Sequence, residues 1–216
     1  MRTQVAIVGA GPAGSLLALL LRRHGVDSVV IERQTKEYVL GRIRAGVLEW
    51  TTVEVLRRAG VADHMDAEGA VHDSVKIAWR GEVILSVDFE RLAGKAMMAY
   101  GHTNIQEDLY AAAEAVGFDF VFGASDVEIH DVTTDRPWVG YVVDGEQVRL
   151  DCDYVAGCDG YHGVSRVTIP AEAKTEYEKA YPFGWIGVLS ETPPLPHLMY
   201  ANHERGFALC SMRNPM

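Results

Sequence analysis

Three glycines near the start of the chain, Gly9, Gly11 and Gly14, have the spacing G-x-G-x-x-G, and Glu32 follows 23 residues after the first of them. In this pattern the first glycine permits a tight turn, the second lets the backbone approach a pyrophosphate, and the third lets a helix pack closely on a strand. A carboxylate about 20 residues further on accepts hydrogen bonds from a ribose diol. The spacing therefore predicts a dinucleotide site. Glu32 argues against an NADP 2′-phosphate in this pocket, because two negative charges would meet there.

The surrounding sequence supplies the elements that such a site needs. Residues 3–8 form an apolar, β-branched run that predicts a buried strand, and residues 15–24 predict a helix that ends at Gly25. Residues 26–31 predict a second strand, so the segment is a βαβ unit with two parallel strands. By itself this unit does not choose between FAD and NAD. A tight βα turn that binds no ligand is the alternative.

The rest of the chain mixes helical and hairpin patterns. Helices are predicted over residues 47–59 and 107–116, and strands over residues 118–122, 124–129, 181–190 and 198–211. Two hairpins are predicted, with turns at Arg80-Gly81 and Asp144-Gly145. The predicted fold class is therefore α/β, of mixed α and β type, in which a Rossmann-like βαβ domain is interleaved with a mostly antiparallel sheet.

Composition excludes several classes of function. The 216 residues include 20 Lys+Arg and 30 Asp+Glu, a formal charge of −10 that argues against nucleic-acid or anionic-membrane partners. No apolar stretch reaches the roughly 18 residues that a spanning helix needs. The three cysteines, Cys152, Cys158 and Cys210, are odd in number and lack metal-ligand spacing. They predict reduced thiols in a cytoplasmic protein and no metal site.

Three further segments bear on the choice of cofactor. They read GRIRAGVLE at residues 41–49, CDGYHGVSR at residues 158–166 and YANHERGFALCSMR at residues 200–213. Together with GAGPAG and IERQ, the chain resembles the flavoprotein aromatic hydroxylases from end to end, and among them the members that act on 4-hydroxybenzoate. The resemblance implies an FAD-dependent monooxygenase that converts 4-hydroxybenzoate to 3,4-dihydroxybenzoate. It would use NADPH and O2 and proceed through a flavin C4a-hydroperoxide.

The resemblance also assigns roles to individual residues. It implies that FAD is held by Gly9, Gly11, Gly14, Glu32, Arg42, Ile43, Arg44, Ala45, Gly46, Val47, His102 and Asp159. It implies that NADPH is held by Arg33, Gln34, Tyr38, Arg44, His162 and Arg166. The substrate would be held by Tyr200, Ser211, Met212 and Arg213. Arg213 and Ser211 would bind its carboxylate, and Tyr200 would be the catalytic residue that hydrogen-bonds the phenol oxygen.

The resemblance divides the chain into four segments, and the sequence differs from the family pattern in two respects. It implies an FAD-binding βαβ part over 1–72, a hairpin of the substrate domain over 73–98, a return to the FAD-binding domain over 99–180, and the start of the substrate sheet over 181–216. His102 stands where the family usually has glutamine. Family members continue well past the position of Met216, so we expect an N-terminal portion of an enzyme that is a homodimer at full length. For the isolated 216-residue chain we expect weak or no retention of FAD and no hydroxylation. The alternatives are a simple NAD-dependent dehydrogenase and a catalytically inactive nucleotide-binding fragment.

Overall fold

A computed structural model describes residues 1–42, 44, 46–118, 120–192, 195 and 197–212. The chain divides into two compact units. Unit 1 comprises Met1–Ile43 and Gln106–Tyr181, and unit 2 comprises Arg44–Ile105 and Pro182–Met216. Each unit is thus assembled from two separate stretches of sequence. The segment boundaries expected at residues 72 and 98 both lie inside unit 2.

The described part of the chain contains both strands and helices. The strands are β1 (Val5–Val8), β2 (Ser28–Ile31), β3 (Val47–Glu49), β4 (Ala70–His72), β5 (Ser74–Trp79), β6 (Glu82–Asp88), β7 (Met97–Ala99), β8 (Phe120–Val121), β9 (Ser125–His130), β10 (Trp138–Val143), β11 (Glu146–Asp151), β12 (Tyr154–Gly157), β13 (Leu198–His203) and β14 (Gly206–Cys210). The α-helices are α1 (Pro12–Arg23), α2 (Lys36–Leu40), α3 (Trp50–Arg58), α4 (Asp63–Glu68), α5 (Phe89–Ala93), α6 (His102–Ala115) and α7 (Val164–Thr168). A 3-10 turn covers Ala171–Ala173. Among these described elements, β8 to β12 follow one another without an intervening helix.

Unit 1 is built on a parallel sheet with the strand order β12-β1-β2-β8. The central strand β1 pairs in parallel with β2 on one side and with β12 on the other, and α1 packs against β1 and β2. A second sheet, of order β11-β10-β9, is antiparallel. Buried Val8 and Ile31 of the parallel sheet share one apolar core with Val139 and Leu150 of the antiparallel sheet. The predicted βαβ unit is therefore present.

Unit 2 contains two further sheets, ordered β14-β13-β5-β6 and β3-β7-β4. In the first, β5–β6 and β13–β14 are antiparallel hairpins, whereas β13 and β5 pair in parallel at the centre. The predicted turn at Arg80-Gly81 has φ values of 50° and 89°, the left-handed conformation that a two-residue hairpin turn requires. In unit 1 the predicted Asp144-Gly145 turn has φ values of 53° and 80°.

The mixed α/β fold class is confirmed, and three element predictions are corrected. The helix expected from Val47 begins at Trp50, because Val47–Glu49 is a strand paired with β7. Residues 181–190, expected to be strand-like, have no regular secondary structure. The helix expected over 107–116 begins earlier, at His102. Within the described part of the chain, every helix is too short or too polar to cross a membrane.

Candidate dinucleotide site

The loop between β1 and α1 is closed by protein at two of its glycines and open at the third. Gly9 has φ 104°, and a Cβ there would lie 2.5 Å from the Cys158 carbonyl oxygen. A Cβ on Gly14 would overlap the carbonyl oxygen of Gly9, which is why α1 can pack so closely on the strand. A Cβ on Gly11 would have nothing within 4 Å. The loop therefore needs glycine at Gly9 and Gly14 for its fold, and leaves space in front of Gly11.

That open space lies at the N-terminus of α1. Gly11 is the N-cap residue and Pro12 opens the helix, and within the described residues no side chain caps this end by a hydrogen bond. The first turn also carries no acidic residue. Unsatisfied backbone N–H groups and the positive end of the helix dipole both attract an anion. This end of a 12-residue helix therefore suits a phosphate group.

Glu32 lies beside the loop, immediately after β2. The backbone N–H of Ala10 donates to Glu32 Oε2 (2.9 Å), and the N–H of Gln34 donates to Oε1 (2.9 Å). A carboxylate has about four acceptor positions, so each oxygen keeps capacity for a ribose hydroxyl. The side chain is half-buried. Glu32 thus both fixes the loop and is available to a ribose diol, whereas Gln34 contacts Glu32 through its backbone.

A buried network, here called the Ala10 network, holds the other side of the loop. The carbonyl oxygen of Ala10 accepts hydrogen bonds from Ser15 Oγ (3.0 Å), Gln106 Nε2 (3.1 Å) and the Tyr110 hydroxyl (2.8 Å). Burial, and secondarily the charge of Glu32, raises the pKa of Tyr110, so its hydroxyl stays a donor. Gln106 and Tyr110 were not predicted as site residues. The available signal was a polar pair four residues apart on one face of a helix.

Asp159 lies next to the loop, where its Cα would be 2.9 Å from a Cβ on Gly9. Its carboxylate accepts a hydrogen bond from the Ser165 N–H (2.9 Å) in the first turn of α7. Arg166 stacks over the Tyr161 ring at 3.9 Å, and its Nε donates to Glu176 (3.1 Å). Asp159 and Arg166 also line a cavity of about 590 Å³. Arg166, one of the arginines expected to hold NADPH, thus forms an ion pair with Glu176 of its own chain.

The remaining cofactor residues lie on three segments. Thr35 caps α2, and the exposed Arg42 just beyond this helix donates to the Tyr38 hydroxyl (2.9 Å). In unit 2, Gly46 accepts a hydrogen bond from the Tyr100 N–H (2.7 Å), and Val47 pairs with Ala99. This places Gly46 and Val47 beside the strand that leads to His102. Other predicted cofactor residues are exposed on the surface, namely Arg33, Arg44 and His162.

Three predicted residues lie outside the described part of the chain, Ile43, Ala45 and Arg213. Of the predicted substrate residues, Tyr200 lies in β13, between Ile77 of β5 and Leu209 of β14. Its ring is half-buried, 5.8 Å from that of Phe207. Ser211 and Met212 directly follow β14, which pairs with the strand that carries Tyr200.

Comparison with known proteins places the chain in a family. The FAD binding domain family matches residues 2–216. This chain belongs to that family. The predicted resemblance to flavoprotein hydroxylases is also confirmed by p-hydroxybenzoate hydroxylase of Acinetobacter baylyi, which is 43% identical over 216 residues, covering 99% of this chain and 53% of that protein.

Two further known proteins are similar to this chain at lower sequence identity. The chain is 29% identical over 208 residues to 3-(3-hydroxy-phenyl)propionate/3-hydroxycinnamic acid hydroxylase 2 of Burkholderia vietnamiensis, covering 87% of this chain and 34% of that protein. The solved structure of P. aeruginosa PqsL in complex with 2-aminobenzoylacetate has a TM-score of 0.77 at 18% identity, covering 100% of this chain and 59% of that chain. That likeness shows the fold alone. The chain spans about half the length of the first relative and about a third of the second.

The residues of the loop fit the adenine dinucleotide that the FAD binding domain family implies. The space in front of Gly11, the uncapped N-terminus of α1 and the half-buried Glu32 together provide room, backbone donors and a ribose acceptor. The described residues contain no group of three or more His, Cys, Asp or Glu that could hold a metal ion. Burial raises the pKa of the Cys152 and Cys158 thiols, which disfavours the thiolate form that metals need.

Proposed function

We propose that this chain is the FAD-binding and substrate-facing part of an aromatic monooxygenase that hydroxylates 4-hydroxybenzoate to 3,4-dihydroxybenzoate with NADPH and O2. The observation that carries the proposal is the loop geometry: two glycines closed by protein, one open, and Glu32 beside them. The 43% identity to a p-hydroxybenzoate hydroxylase supports the substrate. When bound, FAD would supply the redox chemistry that activates O2.

The chain's own residues would divide the binding of FAD between them. The Gly11 N–H and the first turn of α1 would hold the pyrophosphate, because their hydrogen-bonding capacity is not used by a capping side chain. Glu32 would accept the ribose hydroxyls. Arg42 and Arg44 would add positive charge near the phosphates, and the backbone of Ala45, Gly46 and Val47 would help to shape the entrance for the flavin. The family resemblance also assigns Asp159 and His102 to the binding of FAD.

NADPH would bind through two surface segments of unit 1. The first is the α2 segment with Arg33, Gln34 and Tyr38, and the second is His162 with Arg166. Support for the second comes from the cavity of about 590 Å³ that Arg166 and Asp159 line. Glu32 excludes the 2′-phosphate from the loop pocket itself, so the nicotinamide cofactor must use other residues.

The substrate would be held at both ends by residues of β13 and the segment after β14. Arg213 and Ser211 would bind the carboxylate, with Met212 between them. The Tyr200 hydroxyl would donate a hydrogen bond to the phenol oxygen once its proton has left, which makes the ring electron-rich toward an electrophilic oxygen. A water-excluding site is required for this chemistry.

The test is the visible absorption spectrum of the purified protein incubated with FAD, recorded with and without 4-hydroxybenzoate. For an enzyme of the length of the p-hydroxybenzoate hydroxylase relative, we expect bound FAD to survive gel filtration and its spectrum to shift when the substrate is added. Consumption of NADPH and formation of 3,4-dihydroxybenzoate would then be measured together. An enzyme of that length that does not bind FAD would contradict the proposal.

A nucleotide-binding role without catalysis is the second candidate. It is favoured by one observation, that the chain spans 53% of the p-hydroxybenzoate hydroxylase it matches. FAD binding without hydroxylation by this 216-residue chain would support it. A cytoplasmic location and a homodimer remain proposals, the first from the three free cysteines and the second from the resemblance alone.

A further inference from the structure

The Ala10 network determines which way one peptide group of the loop faces. The described peptide bonds include no cis bond, and a trans peptide group directs its C=O and its N–H to opposite sides. The Ala10 carbonyl is held inward by Ser15, Gln106 and Tyr110. The N–H of Gly11, in the same peptide group, must then point outward. It faces the side where a Cβ on Gly11 would find nothing within 4 Å.

The glutamine in this network is not explained by packing. Gln106 is 1% exposed, and its Oε1 has no hydrogen-bond partner among the described residues. A buried acceptor without a partner costs about 1–3 kcal/mol, and an apolar side chain of similar size would avoid that cost. Rotating the amide would place Oε1 against the Ala10 carbonyl, so Nε2 must face the loop. Its Nε2 donates to the Ala10 carbonyl (3.1 Å) and to Ser15 Oγ (3.2 Å), which itself donates to that carbonyl, so both bonds of Gln106 serve to hold Ala10.

Tyr110 contributes a second bond from the same helix face. It is 2% exposed, its ring packs edge-on against Phe120 and Phe122, and its hydroxyl reaches Ala10 at 2.8 Å. Its packing is therefore separable from its hydrogen bond, because phenylalanine keeps the first and removes the second.

We infer that Gln106 and Tyr110 are positioning residues of the dinucleotide site, which hold the Ala10 carbonyl so that the Gly11 N–H faces the pyrophosphate. This rests on the proposed function in one respect, that a dinucleotide binds at this loop. Neither side chain need touch the ligand. Both act through the orientation of a single peptide group.

The test compares ADP with adenosine, which has the ribose and base but no phosphates. Affinities of the purified protein would be measured by calorimetry for the wild type, Tyr110→Phe, Gln106→Met and the double variant. We expect the Kd for ADP to rise about tenfold in the double variant, as the loss of two hydrogen bonds to one group allows. The Kd for adenosine should stay within about twofold. The melting temperature of Gln106→Met should equal or exceed that of the wild type.

Tyr141→Phe is the matched control, because it removes a buried tyrosine hydroxyl elsewhere in unit 1. It should leave the affinity for ADP unchanged. The inference is overturned if the folded double variant binds ADP as the wild type does, or if ADP and adenosine weaken by the same factor. If the double variant does not fold, the same comparison is made with the single variants: the factor by which the Kd for ADP rises is compared with the factor for adenosine. If the wild type binds adenosine but not ADP, the inference is wrong. If it binds neither, the proposed function is wrong as well.

Discussion

Gly9 and Gly11 lie two residues apart, yet a methyl group would have opposite consequences at the two positions. In Gly9→Ala the φ of 104° and the close Cys158 carbonyl should lower the free energy of unfolding by about 1–3 kcal/mol. In Gly11→Ala the φ of −69° suits alanine and the methyl enters open space, so thermal stability should hold. FAD affinity should fall because the methyl occupies the approach to the backbone. Thermal unfolding and FAD titration of both variants check this, and equal stability losses would contradict it.

Arg213 is the residue on which the substrate assignment most depends. Arg213→Ala should raise the KM for 4-hydroxybenzoate about tenfold or more, because a charge-assisted bond to a carboxylate is worth about 1.5–3 kcal/mol. Arg213→Lys keeps the positive charge but loses the planar guanidinium group that can form two parallel hydrogen bonds to a carboxylate. Its KM should therefore lie between those of the wild type and Arg213→Ala. Steady-state kinetics with the active enzyme measure both. An unchanged KM in Arg213→Ala would refute the role.

At the scale of elements, α2 connects a helix cap to the proposed NADPH surface. The Thr35 hydroxyl accepts a hydrogen bond from the Tyr38 N–H (3.2 Å), and Tyr38 in turn contacts Arg42. Thr35→Ala should destabilise this five-residue helix by about 1 kcal/mol. We expect the KM for NADPH to rise with kcat unchanged. Thr35→Ser retains the cap and should behave as the wild type, and a lowered kcat with normal KM would contradict the assignment.

Elements set by local chemistry were predictable, and those set by distant partners were not. The loop at Gly9–Gly14 and the turns at Arg80-Gly81 and Asp144-Gly145 are encoded by glycine at positions of special backbone geometry. Val47–Glu49 continues into an amphipathic helix and has the same pattern, so only its pairing with Met97–Ala99 makes it a strand. The Ala10 network joins residues nearly 100 positions apart. The local sequence shows a polar pair on one face of α6, but it does not show that the partner of this pair is the Ala10 carbonyl.

At the scale of the whole molecule, unit 1 depends on both of its separated segments. The loop comes from Met1–Ile43, whereas the Ala10 network and β12 come from Gln106–Tyr181. A chain that ends before Gln106 would lose both supports. We expect such a truncation to bind no ADP, measured by calorimetry beside the 216-residue chain. ADP binding of equal affinity would show that the first segment forms the site alone.

Buried His72 should make the stability of the molecule depend on pH. It is 1% exposed, and neither ring nitrogen has a hydrogen-bond partner among the described residues. Burial lowers the pKa of His72, an effect that Asp73 opposes and His197 reinforces. The unfolded chain therefore binds a proton near pH 6.5 that the folded chain resists. Because the unfolded state then holds more protons, the free energy of unfolding should decrease as pH falls below about 6.5, by up to about 1.4 kcal/mol per pH unit from this group.

Replacing the histidine isolates this contribution. Denaturant unfolding of the wild type and His72→Gln between about pH 5 and 7.5 should give a shallower pH dependence in the variant, because glutamine does not titrate. The same substitution at exposed His24 serves as the control and should leave the wild-type slope in place. Identical slopes for the wild type and His72→Gln would mean that His72 takes up its proton as easily in the folded chain as in the unfolded one. In that case the acid sensitivity of the fold would have to come from its carboxylates instead.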